Sequence, residues 1–177
     1  MSGMSDIPEG LDYRPERPGD AEAIRGLVRS AFARHEEAVL VDALREGGHV
    51  VLSMVADREG EVLGHVAFSR LTVEDDGATA GALVLAPVAV LPAHQHQGIG
   101  RRLISEALER LEDAGEPLCF VVGDPGYYAR FGFSAARAAE FDCDYAGPAF
   151  MARDLNVPPD RIAGGRLVFP PPFAGIE

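Results

Sequence analysis

The chain has 177 residues, enough for one domain with a core, and it is 47% hydrophobic and 25% charged, which excludes a disordered chain. Its formal net charge of −12 argues against a nucleic-acid partner, because phosphate backbones are met by basic faces; it suits solubility or attraction of a cation. All 16 basic residues are Arg, so there is neither a Schiff-base Lys nor the Lys of an ATP-binding P-loop. Met1–Gly10 is polar and lacks the charged-then-apolar pattern of a secretory signal. No apolar run reaches the ~18 residues of a membrane span. The expectation is a cytoplasmic protein with a flexible segment over 1–10 and one domain over 11–177.

In chain order, Tyr13-Arg14-Pro15 reads as extended. Asp20 is placed to cap a helix on which Ile24, Leu27, Val28, Ala31 and Phe32 form one apolar stripe. A second helix spans about Glu36–Glu46, ended by Gly47-Gly48. His49–Asp57 and Glu61–Thr72 are Val-, Leu- and Phe-rich strands joined by a turn at Arg58-Glu59-Gly60. After a turn at Glu74–Gly77 comes a long apolar strand, Gly81–Leu91. Pro87 in its middle lacks a ladder N–H and marks an edge, a bulge or the end of pairing. Ile99–Ala114 is helical, Leu118–Val122 a buried strand, and Gly123-Asp124-Pro125 opens a short helix through Tyr127, Tyr128 and Phe131. Strand-like pieces at Phe150–Leu155 and Leu167–Phe169 follow, punctuated by Pro158-Pro159 and Pro170-Pro171-Pro172. This order predicts a mixed α/β (α+β) domain on one dominant sheet, with a strand- and Pro-rich part from about residue 134. Cys119 reads as core, and neither it nor Cys143 makes a metal-binding spacing, so no metal is expected.

The strongest chemical signal is Gln95-His96-Gln97-Gly98-Ile99-Gly100-Arg101-Arg102, where a strand ends and a helix begins. The first turn of a helix offers unclaimed N–H groups and the positive end of the dipole. Gly98 and Gly100 let a ligand approach the backbone, so the loop is a phosphate cradle. Arg101 and Arg102 sit where cations are normally unfavourable, and a bound anion reverses that penalty. No Asp or Glu occurs between Gly77 and Ser105. The dinucleotide fingerprint wants Gly or Ala where this chain has Leu103, and the P-loop pattern is absent. The pattern present is Q-x-x-G-x-G.

The run VAVLPAHQHQGIGRRLI resembles motif A of the GNAT superfamily of N-acetyltransferases, and Gly123–Phe133 (GDPGYYARFGF) resembles its later Tyr-x-x-x-Gly-Phe motif, with the Tyr on Tyr128. Together with the tail PAFMARDL…FPPPF, the chain looks like a bacterial branch of predicted N-acetyltransferases from about Leu11 onward. The resemblance implies a GNAT-like, mostly antiparallel twisted sheet flanked by helices. It also implies acetyl-CoA as cosubstrate, its pyrophosphate on the loop and its acetyl-pantetheine arm along the preceding strand. Many members carry an Asn after the fifth strand; here Gly123-Asp124-Pro125 stands instead, so that contact is not carried over.

Direct attack by an amine on the thioester, with no acyl-enzyme, is the implied reaction. The backbone N–H groups of Val88, Ala89 and Val90, beside Pro87, are candidates to hold the thioester carbonyl and the pantetheine amides. Tyr128 is the implied acid: its hydroxyl, of pKa ~10, is protonated at neutral pH and can donate to a thiolate whose thiol titrates near ~8.5. An alkyl ammonium must also lose a proton. Glu36 and Glu37, between the first two helices, and His65, beside Gly64, are weak candidates for that base, which stays unassigned; His94 and His96 line the loop.

The reading is therefore an acetyl-CoA-dependent N-acetyltransferase acting on a primary amine of a small molecule or peptide. The alternatives are a non-catalytic acetyl-CoA sensor or scaffold, transfer of a longer acyl group or to a hydroxyl, and a nucleotide-binding domain, whose motifs are missing. On assembly the sequence offers only the base-rate expectation of a homodimer.

Overall fold

The computed structural model describes residues 10–32, 36–156 and 162–175. The N-terminal segment, apart from Gly10, and Pro158-Pro159 lie outside the described residues. The chain forms β1 (Asp12–Pro15), a 3-10 turn at Pro18–Asp20, α1 (Ala21–Phe32), α2 (Glu36–Glu46), β2 (Val50–Arg58), β3 (Glu61–Asp75) and β4 (Ala78–Val90). A 3-10 turn at Pro92–His94 leads into α3 (Ile99–Asp113), followed by β5 (Leu118–Val122) and α4 (Pro125–Tyr128) with a 3-10 turn over Ala129–Phe131. Then come α5 (Ala135–Ala138), β6 (Phe141–Asp142), β7 (Phe150–Asp154), β8 (Gly165–Val168) and a last 3-10 turn at Pro171–Gly175. The strands join in the order β1-β2-β3-β4-β5-β7, with β8 pairing β3 and β6. This is the one dominant mixed sheet that the element order predicts, with the mostly antiparallel pairing that the resemblance implies.

The chain divides into two compact units. The first runs through Ala67 and takes up again at Pro87–Ala107; the second is Phe68–Ala86 with the residues from Leu108. In the first unit β1 lies antiparallel to β2, from Asp12 opposite Asp57 to Pro15 opposite Met54. The buried Arg14 fastens this corner: its guanidinium reaches Asp20 at 2.7 and 3.0 Å and Asp57 at 3.2 Å. Asp20 also closes the Pro18–Asp20 turn that leads into α1. Its carboxylate accepts from Arg14 and from the Arg17 backbone N–H at 2.6 Å. Ile24, Leu27 and Val28 of α1 pack with Ala38 and Val41 of α2 onto Val55, Val62 and Ala89. Each Ile, Leu or Val side chain among them contributes about 1.5–3 kcal/mol on removal from water. Arg25 bonds Asp42 at 2.8 Å between the two helices.

In the second unit β5 is central, parallel to β4 at Leu83–Leu85 and antiparallel to β7 from Leu118 opposite Asp154 to Val122 opposite Phe150. The parallel pairing ends two residues before Pro87, which has no N–H to offer a ladder. Phe120 stacks on Phe150 with ring centres 5.4 Å apart and meets the edge of Phe141 at 5.0 Å. The buried Arg137 of α5 ties this end together: it donates to Asp154 at 3.1 Å, to Glu140 and to the carbonyls of Ile162 and Ala163. α5, β6 and the last 3-10 turn have no counterpart in the sequence reading, because elements of two to five residues carry no periodicity.

Candidate cofactor loop and acid

The loop after β4 is built by local chemistry. Leu91 makes a ladder bond to Leu63 (N···O 2.9 Å), and Pro92 then sets the 3-10 turn, closed by His94 N–H on the Leu91 carbonyl at 2.8 Å. Gln95 returns its side-chain amide to the Val90 carbonyl at 3.0 Å. His96 and Gly98 are left-handed (φ 64° and 86°), while Gln97 between them is not. Alternating handedness of this kind turns successive backbone N–H groups toward one side, a nest suited to an anion. The first amide bonded along α3 is Arg102 N–H on Gly98 O, at 3.0 Å, so those of Ile99, Gly100 and Arg101 have no acceptor in the helix ladder.

Ile99 itself is buried, and its side chain anchors the helix start. Gly64 on β3 makes that docking possible: a Cβ there would lie 2.9 Å from both Ile99 Cγ2 and Leu103 Cδ1. Arg101 and Arg102 are exposed. Arg102 pairs with Glu106 at 2.7 Å and lies 5.3 Å from the Tyr13 ring centre, so its charge is shared rather than held open for a ligand. Among the described residues, the first turn of α3 holds no acidic side chain. Val88, Ala89 and Val90 form the last residues of β4, in the same unit as the loop.

Tyr128 belongs to the second unit, at the end of α4. Asp124 caps this helix by accepting from Gly126 N–H at 3.0 Å, with Pro125 in its first turn. Gly132, at φ 87°, ends the 3-10 turn that follows. The ring of Tyr128 lies against the backbone of Gly123, where a Cβ would come within 2.4 Å of Cε2. A side chain at position 123 would occupy the place of this ring. Tyr127, Phe133 and Phe131 surround it with ring centres at 5.1, 6.0 and 6.3 Å. Burial pushes the hydroxyl up to about 12, with smaller contributions from Tyr127 and Cys119.

His65, in the first unit, is fully buried. Its Nε2 lies 2.8 Å from Ser53 Oγ, and Ser53 donates to Glu16 Oε1 at 2.8 Å. A hydroxyl has one hydrogen, so Nε2 must carry the proton and donate to Ser53. Arg45 holds Glu16 at 2.7 and 3.0 Å. Burial pulls the imidazole down to about 4, opposed by Glu16 and aided by Arg45. His65 is thus the neutral, buried end of a chain of four polar residues whose other members are half-buried. Glu36 and Glu37 lie in the first turn of α2, Glu36 exposed and Glu37 half-buried.

Sequence reasoning missed the close packing at Gly64 and Gly123 and the linkage Arg45–Glu16–Ser53–His65. A Gly inside an apolar strand signals close backbone approach, so Gly64 was open to discovery; the polar chain joins four separate segments and left no local pattern. Among the described residues no group of His, Cys, Asp and Glu could hold a metal, and no helix is long and apolar enough to cross a membrane.

Comparison with known proteins places these features in a family. The model of the acetyltransferase (GNAT) domain matches residues 12–136. The Escherichia coli K12 protein described as "Uncharacterized N-acetyltransferase YhbS" is 40% identical over 152 residues, 85% of this chain and 90% of that protein. The crystal structure of Escherichia coli YhbS in complex with CoA superposes with a TM-score of 0.85 at 34% identity, covering 94% of this chain and 93% of that one. A GNAT family acetyltransferase from Brucella melitensis in complex with acetyl-CoA gives 0.77 at 38% identity, covering 92% and 97%. This chain belongs to the GNAT family of acetyltransferases.

Proposed function

We propose that this protein binds acetyl-CoA and transfers its acetyl group directly to a primary amine of a small molecule or peptide. The observation that carries the reading is the nest at His96–Gly98 opening onto the unclaimed amides of α3, in a chain whose relatives were crystallised with CoA and acetyl-CoA. Gln95–Arg102 receives the pyrophosphate, mainly through backbone N–H groups and the helix dipole, and Arg101 adds charge. The N–H groups of Val88–Val90 hold the pantetheine arm and the oxyanion.

The neutral amine attacks the thioester carbon, a C–N bond forms, and the tetrahedral intermediate expels the CoA thiolate. The amine's surplus proton leaves to a base that carries no residue assignment. Tyr128 donates to the departing sulfur. Complete transfer from a hydroxyl titrating near 12 to an ordinary thiol near ~8.5 would be uphill by roughly 5 kcal/mol. Tyr128 therefore acts by hydrogen-bonding the sulfur as its charge develops, rather than by handing over its proton completely. The test is CoA thiol release from acetyl-CoA with a panel of amines. Tyr128→Phe is expected to lower turnover about 10²- to 10⁴-fold with CoA affinity retained. Unchanged turnover would remove Tyr128 as the acid.

A further inference from the structure

We infer that a second cleft, formed within the C-terminal part of the chain, binds an organic cation with an aromatic or aliphatic body. The cleft has a volume of about 390 Å³, within the range of small-molecule sites. Tyr145, Phe169 and Phe173 line it. Their rings are inclined rather than stacked, at 67° between Tyr145 and Phe169 and 60° between Phe169 and Phe173. Aromatic rings attract cations electrostatically, so a wall with three rings suits a cationic guest better than an anionic one. The Tyr145 hydroxyl donates to the Phe173 carbonyl at 3.3 Å and fastens the last 3-10 turn to this wall.

The charge is complementary to a cation. Asp142 and Asp144 line the cleft, and the cation among its lining residues, Arg166, lies 3.5 Å from the carboxylate of Glu74. The field of the two aspartates reaches inside. After burial, both help to push up the thiol of Cys143, and Asp144 helps to push up the Tyr145 hydroxyl. None of Tyr128, Val88–Val90 or Gln95–Arg102 lines this cleft, so it is separate from the acetyl-transfer residues.

Cys143 provides a local block, because Cys119 is fully buried and out of reach of reagents. Calorimetric titration without acetyl-CoA compares three probes on the full chain: phenethylammonium, neutral 2-phenylethanol and anionic phenylacetate. Phenethylammonium is expected to bind at least about tenfold more tightly than the other two. The double variant Asp142→Asn/Asp144→Asn, at exposed positions, is expected to weaken it about three- to tenfold, and alkylation of Cys143 in the wild-type protein to abolish the same heat. Equal binding of the neutral probe, no binding of the cation, or a signal unchanged by both the double variant and alkylation would overturn the inference. These titrations need no turnover, so each of those results leaves the acetyl-transfer reading untouched.

Discussion

At the scale of single residues, two side chains differ in what burial does for them. Tyr128 is held against Gly123 with a hydroxyl that stays protonated well beyond neutral pH. Gly123→Ala places a Cβ 2.4 Å from that ring and forces it to move. The expected result is a stability loss of about 1–3 kcal/mol and a lower kcat with CoA affinity held, read from urea unfolding and steady-state kinetics. His65 acts on stability. Above its ordinary value of 6.5 it is neutral in both the folded and unfolded chain. Between 6.5 and about 4 the unfolded chain binds a proton that the folded one refuses, so stability falls as pH falls and levels off below 4. The loss from this group reaches about 2 kcal/mol by pH 5. Urea unfolding at pH 7 and pH 5 measures it, and His65→Gln is expected to remove most of the difference.

At the scale of elements, the start of α3 depends on its seat on β3. Gly64→Ala pushes against Ile99 and Leu103 together, the two side chains that anchor the helix bearing the cradle. This predicts a rise in KM for acetyl-CoA larger than any fall in kcat, with a stability loss of about 1–3 kcal/mol, checked by kinetics and denaturant unfolding. The elements with strong periodicity were legible. The stripe on α1 buries Ile24, Leu27 and Val28 and half-buries Ala31 and Phe32, and the Val- and Leu-rich runs of β2 to β5 bury most of their apolar residues, with Val51 and Val122 left exposed. Gly115 and Gly132 end their helical segments with φ 83° and 87°. Asp20, expected to cap α1, accepts both the Arg17 backbone N–H of the turn ahead of it and the guanidinium of Arg14, six residues back and brought near by folding. The C-terminal part resisted because its short pieces are held by long-range polar ties such as those of Arg137, which no window of sequence contains.

At the scale of the whole molecule, the proposed function has an acidic chain with a net charge of −12 take an anionic cofactor through backbone dipoles, over a stretch free of Asp and Glu from Ala78 to Ile104. The glycine spacing pointed to that loop, and the absent Lys and the Leu at 103 turned the reading away from ATP and NAD. It could not reveal the cleft of Tyr145 and Phe173, residues 28 positions apart that meet only after folding. Ligand linkage offers a global check. CoA at a hundred times its Kd is expected to add about 2.7 kcal/mol, raising Tm by about 5–10 °C in a thermal melt, with no shift from ATP or NAD. The most direct test of the account is the stoichiometry of transfer: CoA thiol released and N-acetylated amine formed, measured together with an amine the protein accepts. The account predicts one acetylated amine for each thiol released, with both lost in step in Tyr128→Phe. CoA binding with no thiol release on any amine would contradict it.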